Sequence, residues 1–349
     1  MTEIIAEIGV NHDGSLDRAM EMVRVARECG ADSVKFQLFR PADLATSHAQ
    51  LAEYQERAAS GSQVGMLEAL ALPPSAIAAL RTHCVELGVD FLCSPFDLES
   101  LRFLTDDLRV EAIKIASGEL TNGRLLWQAA SSGARILLST GMAELAEIEE
   151  ALGAIVFGRR RVAPSGRAAL RDAWREIRGA LPGVTLLHCT TEYPCPDEDA
   201  NVKAVATMGD YFGLPVGFSD HTAGWEIPLA AVAAGAVLVE KHFTLDRAAK
   251  GPDHAASLEP REFETMVKAI RRVEVALGTG EKIPQPSEIK NRPIARKSLV
   301  AAVEIAAGQP FTTENLVAKR PGGGRSPMEH WDLLGQTADR NYRPDELIS

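Results

Sequence analysis

The sequence predicts an α/β chain in which a (β/α)8 TIM barrel, residues 1–280, precedes a small C-terminal domain, residues 296–349, across a linker at 281–295. Three observations support this. Short apolar runs alternate with longer helix-like segments through the first part of the chain. Several of those runs are continuous Val/Ile/Leu stretches, as parallel strands buried on both faces require. Beyond Glu281 the pattern breaks off in a polar stretch with three prolines, EKIPQPSEIKNRP, that has no hydrophobic period.

In chain order, the strands are expected at Ile4–Ile8, Ser33–Leu38, Asp90–Cys93, Ala112–Ile115, Arg135–Leu138, Val184–Cys189, Leu214–Phe218 and Val237–Lys241. Amphipathic segments lie between them, among them Leu16–Cys29, Pro74–Leu87, Ala143–Val156 and Ile227–Ala234. Eight such units in about 250 residues suit a closed barrel. A doubly wound open sheet is the structural alternative, because periodicity does not show closure. Arg40–Leu72 is too long for a simple connection and reads as functional or partly helical. Phe157–Pro182 reads as an inserted helix, with Arg159, Arg160 and Arg161 as a solvated basic run. The C-terminal part has short apolar stretches, turns at Ala307-Gly308 and Pro321–Gly324, and no disulfide framework, so a core that small is expected to lean on another surface.

Composition narrows the function. The 349 residues carry a net charge of −11, which argues against a nucleic-acid partner or an acidic membrane surface. No apolar run approaches the roughly 20 residues of a membrane span. The chain enters its first strand directly, without a leader pattern. Cys29, Cys84, Cys93, Cys189 and Cys195 are odd in number and form no CxxC pair, which suits free thiols in a reducing, cytoplasmic setting.

In a barrel of this kind the strand C-termini converge on one mouth. Every expected strand here ends in polar residues: Glu7, Lys35 with Gln37, Ser94, Lys114 with Ser117 and Glu119, Ser139, Thr190–Tyr193, Ser219–His221 and Glu240–His242. Two lysines interleaved with serines suit an anionic phosphate or carboxylate, which needs charge-assisted hydrogen bonds from several directions. The alternative for either lysine alone is a structural salt bridge. His221 and His242 end adjacent strands, and with Glu7 or Asp220 nearby they can hold Mn²⁺, Fe²⁺, Co²⁺ or Zn²⁺. His12, His188 and His254 remain rival ligands. No dinucleotide, Walker or nucleophile-elbow motif stands in a sensible place, so no organic cofactor is expected. The pattern alone therefore reads as metal-assisted chemistry on an anionic metabolite.

At these same residues the chain resembles the sialic acid synthase family, which makes N-acetylneuraminate or N,N′-diacetyllegionaminate. The resemblance runs through AEIGVNHDG (Ala6–Gly14), VKFQ (Val34–Gln37), CSPFD (Cys93–Asp97), KIASGEL (Lys114–Leu120) and LSTGM (Leu138–Met142). It continues in LHCTTEYP (Leu187–Pro194), GFSDHT (Gly217–Thr222), EKHFTLD (Glu240–Asp246) and GPDHAAS (Gly251–Ser257). RKSLVA (Arg296–Ala301), KRPG (Lys319–Gly322) and SPM (Ser326–Met328) resemble the family's antifreeze-like SAF domain, a β-clip.

The resemblance implies that Lys35, Ser94, Lys114, Ser117, Ser139 and Ser219 hold phosphoenolpyruvate. It implies that His221 and His242 hold a divalent metal, Mn²⁺ first, with Mg²⁺ or Co²⁺ as alternatives. Glu7 becomes the essential acidic group, and Gln37, Glu119, Tyr193, Asp253 and Arg320 the sugar contacts, with Arg320 reaching the partner's barrel in a domain-swapped homodimer. The implied reaction joins phosphoenolpyruvate to N-acetylmannosamine, giving N-acetylneuraminate and phosphate; 2,4-diacetamido-2,4,6-trideoxymannose is the alternative acceptor. A Schiff-base aldolase working through Lys114 is the more distant alternative. The chain departs from the family pattern at Thr190-Thr191, where many relatives carry asparagine, and at Gly323 after the PG pair.

Overall fold

The computed structural model describes residues 1–46, 48–49 and 62–349. The chain divides into two compact units, Met1–Gly278 and Thr279–Ser349. The part of Arg40–Leu72 that falls at 47 and 50–61 lies outside the described residues.

The first unit is built on eight parallel strands: β1 (Glu3–Gly9), β2 (Ser33–Leu38), β3 (Asp90–Pro95), β4 (Ala112–Ile115), β5 (Arg135–Ser139), β6 (Val184–His188), β7 (Val216–Asp220) and β8 (Leu238–His242). Their hydrogen-bonded order is β3-β2-β1-β8-β7-β6-β5-β4, and β3 and β4 lie side by side, which closes the sheet. The expected strands are present with ends shifted by up to two residues. The closed barrel, rather than the open sheet, is therefore the architecture.

Helices follow each strand: α1 (Leu16–Glu28), α2 (Gln63–Leu70), α3 (Pro74–Leu87), α4 (Leu98–Arg102), α5 (Gly123–Ser131), α6 (Leu145–Arg160), α7 (Arg167–Glu176), α8 (Ala204–Phe212), α9 (Glu226–Ala233) and α10 (Pro260–Leu277). Local chemistry fixes their ends. Ser15 caps α1 by accepting from the Arg18 amide, and Ala19, Met22, Val23 and Ala26 make its buried stripe. Pro74 starts α3, and Gly88 ends it in the left-handed conformation. No single helix among the described residues is long and apolar enough to cross a membrane.

The strands sort their side chains by alternation. One set, including Ile4, Ala6, Val34, Phe36, Cys93, Ile113, Ile136, Leu186, Phe218 and Val239, faces the helices in the large core. The other set faces the barrel axis, where Ile5, Leu92, Leu137, Leu187 and Leu238 form a separate apolar plug. Two residues further along each of these strands stands a polar residue: Glu7, Ser94, Ser139, Cys189 after β6, and Glu240. The apolar plug thus floors a chamber at the strand C-termini.

Two expectations about the insert need correction. Phe157–Arg160 continues α6, so the inserted helix is only α7. The basic run is helical rather than a loop, with Arg159 and Arg160 in α6 and Arg161 capping it; Arg160 and Arg161 are exposed as expected, but Arg159 is not. The half-buried Arg159 guanidinium donates to the carbonyls of Ala130 and Ala134, at 3.1 and 2.6 Å. It serves as a tie between α6 and the α5–β5 turn.

In the second unit, residues 281–295 are exposed and carry two single-turn helices, Pro286–Ile289 and Arg292–Ala295. Strands β9 (Ser298–Ala301) and β10 (Leu316–Lys319) then pair antiparallel. Leu299, Ala301, Ile305, Phe311, Leu316, Leu333, Ala338, Tyr342 and Ile348 make its core.

Candidate active site

The chamber above the plug is a cavity of about 450 Å³. Glu7, Lys35, Gln37, Ser94, Lys114, Ser117, Glu119, Ser139, Tyr193, Ser219, His221, His242 and Asp253 all line it, so every barrel residue expected in the site is brought to one place. Arg320 belongs to the second unit, where it is exposed and its Nε donates to the Ala295 carbonyl at 2.9 Å.

The centre of the site is a buried charge network. Glu240 Oε1 accepts from Lys114 Nζ at 3.0 Å and from Ser219 Oγ at 2.7 Å, and lies 3.3 Å from Lys35 Nζ. Lys35 Nζ also lies 3.2 Å from Glu7 Oε2, while Gln37 donates to Glu7 Oε1 at 2.9 Å. Gly9 permits this: its φ is +53°, and a Cβ there would sit 2.9 Å from Glu7 Oε1. Glu240 was expected among the polar strand ends but was given no role in the site. The available signal was alternation along β8, which puts Glu240 on the same face as His242.

Burial works against every charge here, and the neighbours decide which survive. Burial opposes the Lys35 ammonium, but the Glu240 and Glu7 carboxylates outweigh it and raise its pKa. Burial also opposes the Glu240 carboxylate, yet Lys114 and Lys35 together hold its pKa below the usual range. Burial raises Glu7, with Lys35 pulling the other way and Glu240 adding to the rise. Lys114 is lowered by burial despite Glu240. Asp253 is raised to about 7 by burial and by the Glu7 charge.

The two histidines are neutral. Burial lowers His221 to about 4 and pushes His242 well below its ordinary value. His221 Nδ1 lies 2.6 Å from the Thr190 carbonyl, so that nitrogen carries the hydrogen and Nε2 keeps its lone pair. The rings of His221 and His242 stand 5.4 Å apart between centroids, with the Tyr193 ring 4.1 Å from the first and 5.5 Å from the second.

Several buried polar atoms of this chamber have no hydrogen-bond partner among the described residues, namely Ser94 Oγ, Thr191 Oγ1 and Glu240 Oε2, while Glu7 Oε2 has only the Lys35 ammonium at 3.2 Å and His242 Nδ1 only the Asp253 carboxyl at 3.4 Å. An unsatisfied buried polar group costs about 1–3 kcal/mol, so this concentration marks a surface shaped for a polar ligand. A divalent ion fits the donor set. Two imidazoles, one oriented by a carbonyl behind it and the other with the Asp253 carboxyl 3.4 Å from its Nδ1, are ordinary transition-metal ligands. The described residues gather no group of three or more His, Cys, Asp or Glu that would complete such a shell. Were an ion held there, oxygen atoms of substrate or solvent would have to supply the remainder.

The rival metal ligands have other work. His12 Nδ1 accepts from the Gly14 amide at 3.0 Å, His188 Nε2 meets the Ala200 carbonyl at 3.0 Å, and His254 lies between Thr244 and Asp13. Asp220 also leaves the expected metal set: fully buried, it faces away from the chamber and pairs with Lys241. Of the Thr190-Thr191 pair, Thr191 lines the chamber, whereas Thr190 Oγ1 donates to the Asp199 carbonyl at 2.8 Å.

The model of the NeuB family matches residues 22–282, three quarters of the chain. The chain belongs to the NeuB family. The SAF domain model matches residues 296–349 of this NeuB-family chain. It is 44% identical to the N,N′-diacetyllegionaminic acid synthase of Campylobacter jejuni, over 99% of this chain and 98% of that protein. It is 40% identical to the protein of the same name in Legionella pneumophila, over 97% of this chain and 90% of the other. Among solved structures, the N-acetylneuraminic acid synthetase of Leptospira borgpetersenii in complex with citrate superposes with a TM-score of 0.67. That structure is 33% identical and covers 83% of this chain and 90% of its own. The NeuB-family barrel with a SAF domain is thus the fold that the sequence led one to expect.

Proposed function

We propose that the protein condenses phosphoenolpyruvate with 2,4-diacetamido-2,4,6-trideoxymannose and water, giving N,N′-diacetyllegionaminate and phosphate. The observation that carries the chemistry is the pairing of a lysine–serine anion cradle with two neutral imidazoles in one chamber. The choice of sugar rests on the relatives. The sequence reading put N-acetylmannosamine first, but identity is higher to the legionaminic acid synthases than to the sialic acid synthetase.

In this reading Lys35, Lys114, Ser94, Ser117, Ser139 and Ser219 bind the phosphate and carboxylate of phosphoenolpyruvate. Both lysines already sit in an electrostatic framework built by Glu240 and Glu7, which costs little reorganisation during reaction. His221 and His242 would hold a divalent ion, which when bound supplies Lewis acidity toward the aldehyde oxygen of the open-chain sugar. The methylene carbon of phosphoenolpyruvate attacks the aldehyde carbon, forming the new C–C bond, and the aldehyde oxygen takes up a proton. Water adds to the resulting oxocarbenium carbon and loses a proton. Glu7, raised in pKa and adjacent to Lys35, is placed to accept it. The tetrahedral product expels phosphate by C–O cleavage and leaves the 2-keto acid. Gln37, Glu119, Tyr193 and Asp253 contact the sugar, and in a domain-swapped homodimer Arg320 of the partner would complete that contact. The four buried cysteines and the half-buried Cys29, all free thiols, suit a reducing cytoplasm.

The test is phosphate release from phosphoenolpyruvate with Mn²⁺ or with EDTA, with each sugar supplied separately. Metal-dependent release with the diacetamido sugar is expected. Covalent trapping of pyruvate on Lys114 by borohydride, without metal-dependent release, would overturn the reading in favour of the aldolase.

A further inference from the structure

The chamber is chemically two-sided. Its charged and hydroxyl-bearing residues come from the strand ends and from loops beyond them, such as those carrying Glu119, Tyr193 and Asp253. One wall, built from residues just after β1, β2 and β3 and from α2, is mainly apolar: Val10, Phe39 and Leu70 form a buried cluster, with Leu44, Met66, Leu67, Ala71 and Phe96 packed against it. Gln63, Met66, Leu67 and Leu70 recur at the spacing of one helical face, and all four line the cavity, so α2 lays one face along it. Leu70 is buried in the cluster, whereas Met66 and Leu67 are only half-buried and turn their remaining apolar surface toward the cavity.

This wall is held in place. The Phe39 and Phe96 rings meet edge to face at 6.1 Å. Below them the Asp97 carboxylate accepts from the Arg40 amide at 3.0 Å, the Ser100 amide at 2.8 Å and the Ser100 hydroxyl at 2.6 Å. That knot ties Arg40, two residues past β2, to the start of α4.

We infer that this wall seats an apolar terminus of the acceptor sugar, a C6 methyl in place of a hydroxymethyl, and that Met66 and Leu67 set a preference for 6-deoxy acceptors. The inference rests on the synthase reading above and extends it to the residues that read the far end of the sugar. The charged half of the chamber takes the reacting end, where phosphate, carboxylate and aldehyde oxygen need donors. A chain extending from there across the cavity meets hydrocarbon. A C6 hydroxyl placed against Met66 and Leu67 would give up water and gain no partner from them, whereas a methyl would bury favourably. An apolar site discriminates against an added hydroxyl by roughly ten- to a hundredfold.

The test compares kcat/KM for 2,4-diacetamido-2,4,6-trideoxymannose with that for its 6-hydroxy counterpart, by phosphate release, in the wild type, Met66→Gln and Leu67→Asn. A wild-type preference for the methyl sugar of roughly ten- to a hundredfold is expected. It should collapse to within about threefold in the variants, while the KM for phosphoenolpyruvate holds. Equal use of both sugars by the wild type overturns the inference whether or not the variants fold. So does a parallel loss on both sugars in variants that keep the ratio. In those cases phosphate release still stands, and the synthase reading survives. Absence of release with any acceptor removes that reading, and this inference with it.

Discussion

Lys241 Nζ lies 2.5 Å from Asp220 Oδ2, with neither side chain exposed to solvent, on the outer face of the two strands whose inner face carries His242 and Ser219. The same ammonium donates to the Thr222 carbonyl at 2.5 Å, and Asp220 accepts from the Thr222 amide and hydroxyl. This knot clamps the β7 end against β8, so the two imidazoles are positioned from behind. Lys241→Met leaves the Asp220 charge buried without its cation, a change that costs roughly 3–5 kcal/mol. A fall in Tm on the order of 10 °C is expected, with most of it recovered in Asp220→Asn/Lys241→Met. Thermal melts of the two single variants and the double variant measure this coupling, and a single-variant loss of under about 1 kcal/mol would show the pair to be dispensable.

The neutral histidines make stability sensitive to acid. His12 is lowered to about 4 by burial, against the opposing pull of Asp13, and His188 and His221 are also lowered chiefly by burial. In the unfolded chain these groups titrate near the ordinary value of 6.5. Between the two values the unfolded chain binds the protons and the folded one does not. The contribution to stability is therefore fully present above about 6.5 and is lost as pH falls toward 4. For His12 that amounts to about 3 kcal/mol across the window. Urea denaturation in EDTA at pH 7.5 and pH 5 should show a clear loss at the lower pH. His12→Asn, which keeps an acceptor for the Gly14 amide, should flatten the slope. An unchanged slope would mean that the ring is not protected from protonation as described.

Close helix packing makes a further expectation. A Cβ on Gly153 would collide with the Leu170 carbonyl of α7, and one on Gly158 with the Trp127 carbonyl of α5. Both obstacles are backbone, which cannot swing aside. Gly153→Ala and Gly158→Ala should each destabilise the barrel by roughly 1–3 kcal/mol, despite the better helix propensity of alanine. Denaturant midpoints would read this, with activity per folded molecule retained. Stabilisation by either alanine would show that α6 is able to move away from its neighbours.

How far the sequence made this visible depends on periodicity. The strands were legible because residues such as Ile4, Val34 and Ile113 are buried toward helices while Ile5, Leu92 and Leu137 fill the axis, giving continuous apolar runs. The ring of site residues followed from where those runs end. Which of two adjacent polar residues faces inward was less apparent. Glu240 belongs to the site and Lys241 does not, and Ser219 belongs where Asp220 does not, although period two along β7 and β8 distinguishes them. The apolar wall of α2 was hidden further, because it follows a long connection whose packing depends on Phe39 and Phe96 from two other segments. Arg159 was misread because a basic run resembles a solvated surface until its carbonyl partners on Ala130 and Ala134 are known.

Glu240 yields the prediction that bears most directly on the chemistry. Burial lowers the Lys114 pKa, and Glu240 is the largest influence acting against that fall. Glu240→Gln keeps the shape and a hydrogen-bonding group but removes the charge, so the Lys114 pKa should fall further. The ammonium that binds the phosphoenolpyruvate anion would then be lost at lower pH. The alkaline limb of kcat/KM for phosphoenolpyruvate should move to lower pH. The variant should therefore lose activity on the alkaline side at a lower pH than the wild type does. Lys35 moves less, since Glu7 remains 3.2 Å away to hold its charge. A pH–rate profile of the variant, measured with saturating sugar and metal, separates these effects. If the alkaline limb stays where it is in the wild type, Lys114 is not the group whose charge Glu240 protects, and the anion cradle must be carried by Lys35 and the serines.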